Sequence, residues 1–150
     1  MTSIYGYSAT AASNTAAAPD GAPENMAASG VNDTMRKMMA NMAEFAIAQV
    51  AGGTADALTL TPTNSVAAYV DGMQVHFRAT AANATTTPTL SISGLTARTI
   101  VKNGGSALVA GDIAGALAEH TVRYNLANTR WELLNPKQQS VSTASTTEVL

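Results

Sequence analysis

Cysteine is absent from this chain, which excludes disulfides, thiolate nucleophiles and thiolate metal sites. Charge is scarce as well: charged residues make up 12% of the 150 positions, about half of the roughly 25% usual in soluble domains. A surface so thinly charged must be solvated by Thr, Ser and Asn or covered by neighbours. The 8 basic and 10 acidic residues leave a net charge of −2, and Arg36-Lys37 is the only adjacent basic pair, so the electrostatic footprint of a nucleic-acid partner is missing. Aromatic residues amount to 5%. Much of the 46% hydrophobic share is alanine, which buries little apolar area per residue. A chain this poor in large side chains gains by completing its core between identical subunits, so self-association is expected. Long runs of large apolar residues are missing too, and the N-terminus has no basic stretch leading into one; neither a membrane span nor a signal peptide is expected.

What is present divides into four parts. Residues 1–30 read as an extended arm, rich in Ala, Ser, Thr, Asn, Pro and Gly, with Pro19-Asp20-Gly21 and Ala22-Pro23 as turn or extended signals. Ile4, Tyr5 and Tyr7 are its large apolar residues near the end. They serve either as an anchor into another surface or as a fold-back onto the same chain. Residues 31–51 carry a helix over about 32–50: Asn32-Asp33-Thr34 offers N-caps, Met35, Met38, Met39, Met42, Phe45, Ala46 and Gln49 recur at helical spacing, and Gly52-Gly53 ends the run. Met38, Met42, Phe45 and Gln49 stand at alternating four- and three-residue steps, the spacing of a coiled-coil seam, for barely two heptads. That stripe packs either on the chain's own β-region or against its counterpart in other copies.

From residue 54 to 136 the period becomes two. Segments 55–60, 67–70, 73–79, 89–93, 99–102, 120–124 and 130–134 read as short strands, and 111–118 reads equally as a helical turn or a strand approach. Asp71-Gly72 is a hairpin signal between 67–70 and 73–79, and Asn103-Gly104-Gly105 reads as a hairpin turn. Met73, Val75 and Phe77 share one face of their strand; Trp131 and Leu133 supply the apolar face of a terminal hairpin. The expected fold is mainly β: an arm, one helix, then a small antiparallel β-sandwich or barrel-like domain. Residues 137–150 form a Ser/Thr-rich tail expected to be flexible.

Chemistry is thinly supplied. His76 and His120 are the only histidines, fall in separate strands without metal-ligand spacing, and read as polar residues on strand surfaces. Asp56, Asp71, Asp112, Glu119 and Glu132 stand at turns and strand ends, where capping explains them. The glycines at 104 and 105 lack the lysine and following helix of a phosphate loop. No enzyme activity, metal or cofactor is expected. Tyr69, Tyr124 and Trp131 are the aromatic candidates for a carbohydrate-binding module.

The order of motifs adds a resemblance. Ser13-Asn14-Thr15, followed by Glu24, Met26, Ser29, Val31, Asn32, Asp33, Arg36, Met38, Met39 and Ala40, resembles the N-terminal region of bacteriophage tail-fibre proteins. Asn25 and Ala28 replace the usual Gly and Pro, and an aromatic often found ahead of the acidic position is missing. Phrases at 53–60, 69–73, 89–95, 107–113 and 124–135 are similar to the small β-module that follows such N-termini. The resemblance covers most of residues 3–136. It implies a virion protein at the tail, a homotrimer, and other tail proteins as partners, with Ile4, Tyr5, Tyr7, Asn32, Arg36, Met38, Met42 and Phe45 as attachment or oligomer contacts. A capsid decoration or head-fibre protein is the alternative on the same features.

Overall fold

The computed structural model describes residues 3–137. Two 3-10 turns, Ile4–Gly6 and Ala11–Ser13, precede one α-helix, α1 (Ala28–Ala46). Eight strands follow: β1 (Gln49–Val50), β2 (Gly52–Thr54), β3 (Ala57–Leu60), β4 (Gln74–Ala79), β5 (Thr89–Ile92), β6 (Arg98–Val101), β7 (Ala118–Asn125) and β8 (Arg130–Leu133). They form one sheet in the order β1-β4-β7-β8-β6-β5-β3-β2. β1 and β2 stand at opposite ends of that order, yet only Ala51 separates them in the chain. The sheet therefore curls until its two edges nearly meet, a barrel-like closure that reduces exposed strand edges.

The mainly β fold with a single helix is as the sequence predicts, but the pairing is mixed rather than purely antiparallel. β1 with β4, β3 with β5 and β6 with β8 run parallel. Parallel neighbours need a crossover between them. Here strands serve as crossovers, β4 between β3 and β5 and β7 between β6 and β8.

The core follows from strand alternation. In β7, His120, Val122 and Tyr124 point inward, and in β8 Trp131 and Leu133 do the same. The hairpin register sets Tyr124 opposite Trp131 and Val122 opposite Leu133, so the apolar residues of both strands meet on one face. Trp131 is fully buried and its indole N–H donates to the Leu90 carbonyl at 3.3 Å. Phe77, Leu90, Ile92 and Ile100 complete the interior. Loops are tied in by polar groups: the Asn83 amide donates to the Thr85 and Val109 carbonyls and accepts from Ile113 N–H. Asp112 is buried against Lys102 at 2.6 Å and also accepts from Val109 N–H.

Several local expectations change. The 67–70 segment is not a strand; Tyr69 turns in to lie 4.8 Å from the Tyr124 ring and 5.2 Å from that of Trp131. The Asp71-Gly72 turn is instead fastened sideways to the β7–β8 hairpin, with Gly72 N–H donating to Tyr124 O and Leu126 N–H to the Asp71 carboxylate, both at 2.9 Å. Residues 111–117 are turns leading into β7. The turn at 103–105 closes as expected, bridging Lys102 to Ser106. His120 is a core residue rather than a surface one, its Nε2 3.0 Å from Ala114 O and its ring 5.7 Å from Phe77. The Ser/Thr-rich tail from 138 onward lies outside the described residues.

Helix α1 is displaced by four residues at each end from the expected span. Its N-cap is Ala27, with no side-chain cap, so Asn32 and Asp33 lie inside the helix and do not cap it. Packing replaces the cap: Thr34 Oγ1 donates to Gly21 O at 2.8 Å, and Met26 packs so closely on Gly30 that a Cβ there would stand 2.9 Å from its Cγ. At the other end Ile47 is extended, because Gln49 and Val50 pair with Phe77 and Arg78 of β4 and Ala51 N–H donates to Arg78 O at 2.9 Å. Sheet pairing stops the helix well before Gly52-Gly53, and Gln49 leaves the helical stripe.

Candidate association face of the helix and its arm

An amphipathic helix on a globular domain ordinarily buries its apolar stripe. This one does the reverse. Thr34, Lys37 and Asn41 are buried, at 8%, 7% and 2% exposure, whereas Met35, Met38 and Met42 are open at 56%, 47% and 62%. Val31, Met39 and Phe45 are exposed as well. Thr34, Lys37, Asn41 and Glu44 follow one another at three- and four-residue steps and so form a polar stripe of their own.

That polar stripe is the docking face. The Lys37 ammonium donates to Asn64 Oδ1. Asn64 Nδ2 in turn donates to Glu44 Oε2 at 2.7 Å, and the Asn64 backbone N–H reaches the same oxygen at 3.0 Å. Thr63 N–H donates to the other carboxylate oxygen. Asn64 thus links a buried cation to a carboxylate about two turns along the same stripe and ties the helix to the loop after β3. Such groups must be hydrogen-bonded to be buried at all, and here they are.

The outer stripe is longer and better aligned than the sequence suggests. Val31, Met35, Met38, Met42 and Phe45 are spaced four, three, four and three, the a and d positions of a heptad repeat. Gln49, expected at its C-terminal end, is replaced by Val31 and Met35 at its N-terminal end. The seam runs for about 21 Å at 1.5 Å per residue.

The arm folds back onto the end of this seam. Tyr5 sets its ring edge-on to Phe45 at 6.2 Å and donates its hydroxyl to Gln74 O on β4. Burial pushes the Tyr5 phenol up to about 12. Tyr7 Oη accepts from Asn41 Nδ2 at 2.8 Å. On its other side Phe45 meets the His76 ring at 5.9 Å. β1 pairs with β4 only at Phe77 and Arg78; the arm and the end of α1 cover the stretch of β4 that this short pairing leaves open. Beneath them lies a cavity of about 60 Å³, rimmed by Ile4, Tyr5 and Phe45 and floored by Leu60, Val66, Met73 and Ile92. It has room for a few waters and not for a drug-sized ligand, whose clefts run to about 300–1,000 Å³.

The eight expected contact residues therefore fall into three groups. Ile4, Tyr5, Tyr7 and Phe45 come together at the end of α1; Met38 and Met42 lie along the seam. Asn32 and Arg36 stand apart, Arg36 in an exposed 3.6 Å pair with Asp33 of a kind worth about 0–1 kcal/mol. The residues that sequence reasoning missed are the polar anchors Thr34, Lys37, Asn41, Glu44 and Asn64. The repeat of Thr34, Lys37, Asn41 and Glu44 at helical spacing was the available signal for the four on the helix; Asn64 in its loop had none.

Elsewhere the histidines and the candidate aromatics take separate places in the fold. β4 and β7 pair His76 with Thr121 and Phe77 with His120, so the two histidines point to opposite faces of the sheet. Among the described residues no group of three or more His, Asp or Glu is placed to hold a metal ion. Tyr124 and Trp131 are buried, and Tyr69 is half-buried, its hydroxyl donating to Thr96 O at 3.1 Å; the three do not make an exposed platform. Asp56 accepts from Thr85 and Ala84 N–H, bonds that hold its carboxyl below the usual range. Among the described residues no helix is long and apolar enough to cross a membrane. Compared with known proteins, the chain matches no family model and no curated protein.

Proposed function

We propose that this chain is a non-enzymatic structural subunit of a bacteriophage virion, a tail fibre or a fibre anchor, that assembles as a homotrimer through helix α1 and docks to other tail proteins through its arm and helix. One observation carries the assembly part: α1 turns Val31, Met35, Met38, Met42 and Phe45 outward while Lys37 and Glu44 tie it to the loop after β3 and Thr34 and Asn41 tie it to the arm. An apolar seam of this kind on a helix already anchored by a neighbouring stripe marks an interaction surface. Burying the exposed half of each side chain contributes roughly 1 kcal/mol apiece. Two heptads alone do not hold a coiled coil, so contacts between barrels must add to them. The tail location rests on the resemblance of residues 8–40.

Two measurements test the proposal. Sedimentation of the purified chain at micromolar concentration should give a trimer; a monomer would refute the assembly role of the seam. Antibody label on intact particles should gather at the tail vertex, and label spread over the icosahedral faces would replace the tail reading with capsid decoration.

A further inference from the structure

We propose that the arm is exchanged between subunits: residues 3–7 of one copy occupy the seat between Phe45 and β4 on an adjacent copy. The inference rests on self-association through the α1 seam and adds to it which chain fills which seat.

Three observations lead there. The arm is held in its seat by side chains. Among the described residues its backbone hydrogen bonds are internal, Gly6 N–H to Ser3 O at 2.9 Å and Tyr7 N–H to Ile4 O at 3.3 Å, and it meets the barrel and helix through the Tyr5 and Tyr7 side chains. No strand pairing has to be broken for it to leave. Next, the seat adjoins the association face, because Phe45 is both the ring under Tyr5 and the last residue of the exposed seam. Copies packed along that seam bring their Phe45 residues, and hence their seats, to neighbouring positions. Last, the tether is long. The chain is next hydrogen-bonded to α1 at Gly21, from Thr34; residues 8–20 lie between, folded by bonds that a crossover carries along or opens, Ser8 N–H to Asn14 Oδ1 and Ala22 N–H to Asn14 O, both at 2.8 Å. Thirteen residues span up to about 43 Å when extended, several times the 8–10 Å between packed helices.

An exchanged arm makes the same contacts as a folded-back one, so a crossover costs the seat nothing in enthalpy while linking the subunits. The arm then works as a strap: each copy closes its neighbour's barrel opening and cavity with Ile4 and Tyr5.

The test uses two co-expressed versions of the full chain. One carries an affinity tag and Tyr5→p-benzoyl-L-phenylalanine, a photo-reactive aromatic; the other carries a different tag and the native Tyr5. Both tags should co-purify under native conditions. Ultraviolet light should then give a band of twice the chain mass bearing both tags on a denaturing gel, with the crosslink mapping to Phe45 or to residues 74–76 of the second chain. Crosslinks mapping to those positions only within one chain, in oligomers that still co-purify, would overturn the exchange and leave the seam standing. Failure of the tags to co-purify would overturn both. Placing the photo-reactive residue at Tyr7 gives a second reading, with Asn41 as the expected target, should the Tyr5 variant not fold.

Discussion

Helix α1 and the β7–β8 hairpin use their two faces in opposite senses. In the hairpin, Val122, Tyr124, Trp131 and Leu133 point into the barrel and Arg123 and Glu132 lie outside, 3.4 Å apart. In the helix, Lys37, Asn41 and Glu44 face the barrel and the methionines face out. The hairpin gains stability from removing apolar area from water. The helix is held by a few hydrogen bonds whose net worth is modest, about 1 kcal/mol each. A chain short of large side chains has placed many of them where its own fold leaves them exposed, and the proposed association of subunits would give them a use.

Substitutions that strike each region sharpen that contrast. Trp131→Ala should cost about 3–5 kcal/mol of barrel stability, as emptying a fully buried aromatic site does, read from the midpoint of denaturant unfolding. The double change Met38→Asp with Met42→Asp should leave the barrel's stability within about 0.5 kcal/mol, as exposed positions allow. The same change should weaken self-association by at least about 2 kcal/mol, or roughly 30-fold, in sedimentation. Equal loss of barrel stability from both changes would erase the distinction between the two regions.

A change at the polar anchor asks how the helix is held. Asn64→Ala removes the link between Lys37 and Glu44 and leaves both partly buried, at about 1–2 kcal/mol. The loss should be local: amide exchange should speed up across α1 while β7 and β8 keep their protection. Exchange rising equally in all three elements would mean that helix and barrel unfold as one unit.

Much of the barrel was legible because period two survives in strands buried on one face: 73–79, 89–93 and the terminal hairpin all read correctly to within a residue or two. Parallel pairing was not legible, since alternation tells which side a residue faces and nothing about the neighbour's direction. The helix misread in the opposite way. Its type was evident from spacing, but its ends depended on distant partners, Gly21 at one and β4 at the other, and Asn32-Asp33 gave a capping signal that tertiary packing overrode. The seam was visible in part. Which stripe faced inward was hidden, because helical periodicity predicts that a face is apolar and leaves open whose core it completes.

Tyr5 offers the smallest effect and the most direct check on the arm. Its phenol is raised from 10.0 to about 12 by burial, so the docked state favours the neutral, hydrogen-donating form. A group whose folded value lies above its unfolded one contributes its full stabilisation below the unfolded value and loses it as pH rises to the folded one. Docking should therefore hold below pH 10 and weaken between pH 10 and 12. Tyrosinate absorbance would follow this. Burial also raises Tyr69, so the informative curve is the difference between the native chain and Tyr5→Phe, which keeps the ring against Phe45 but has no proton to lose. A difference curve centred near 12 places Tyr5 in its seat, whether on its own chain or a neighbour's; one centred near 10 would leave the arm in water and the opening beside β4 uncovered.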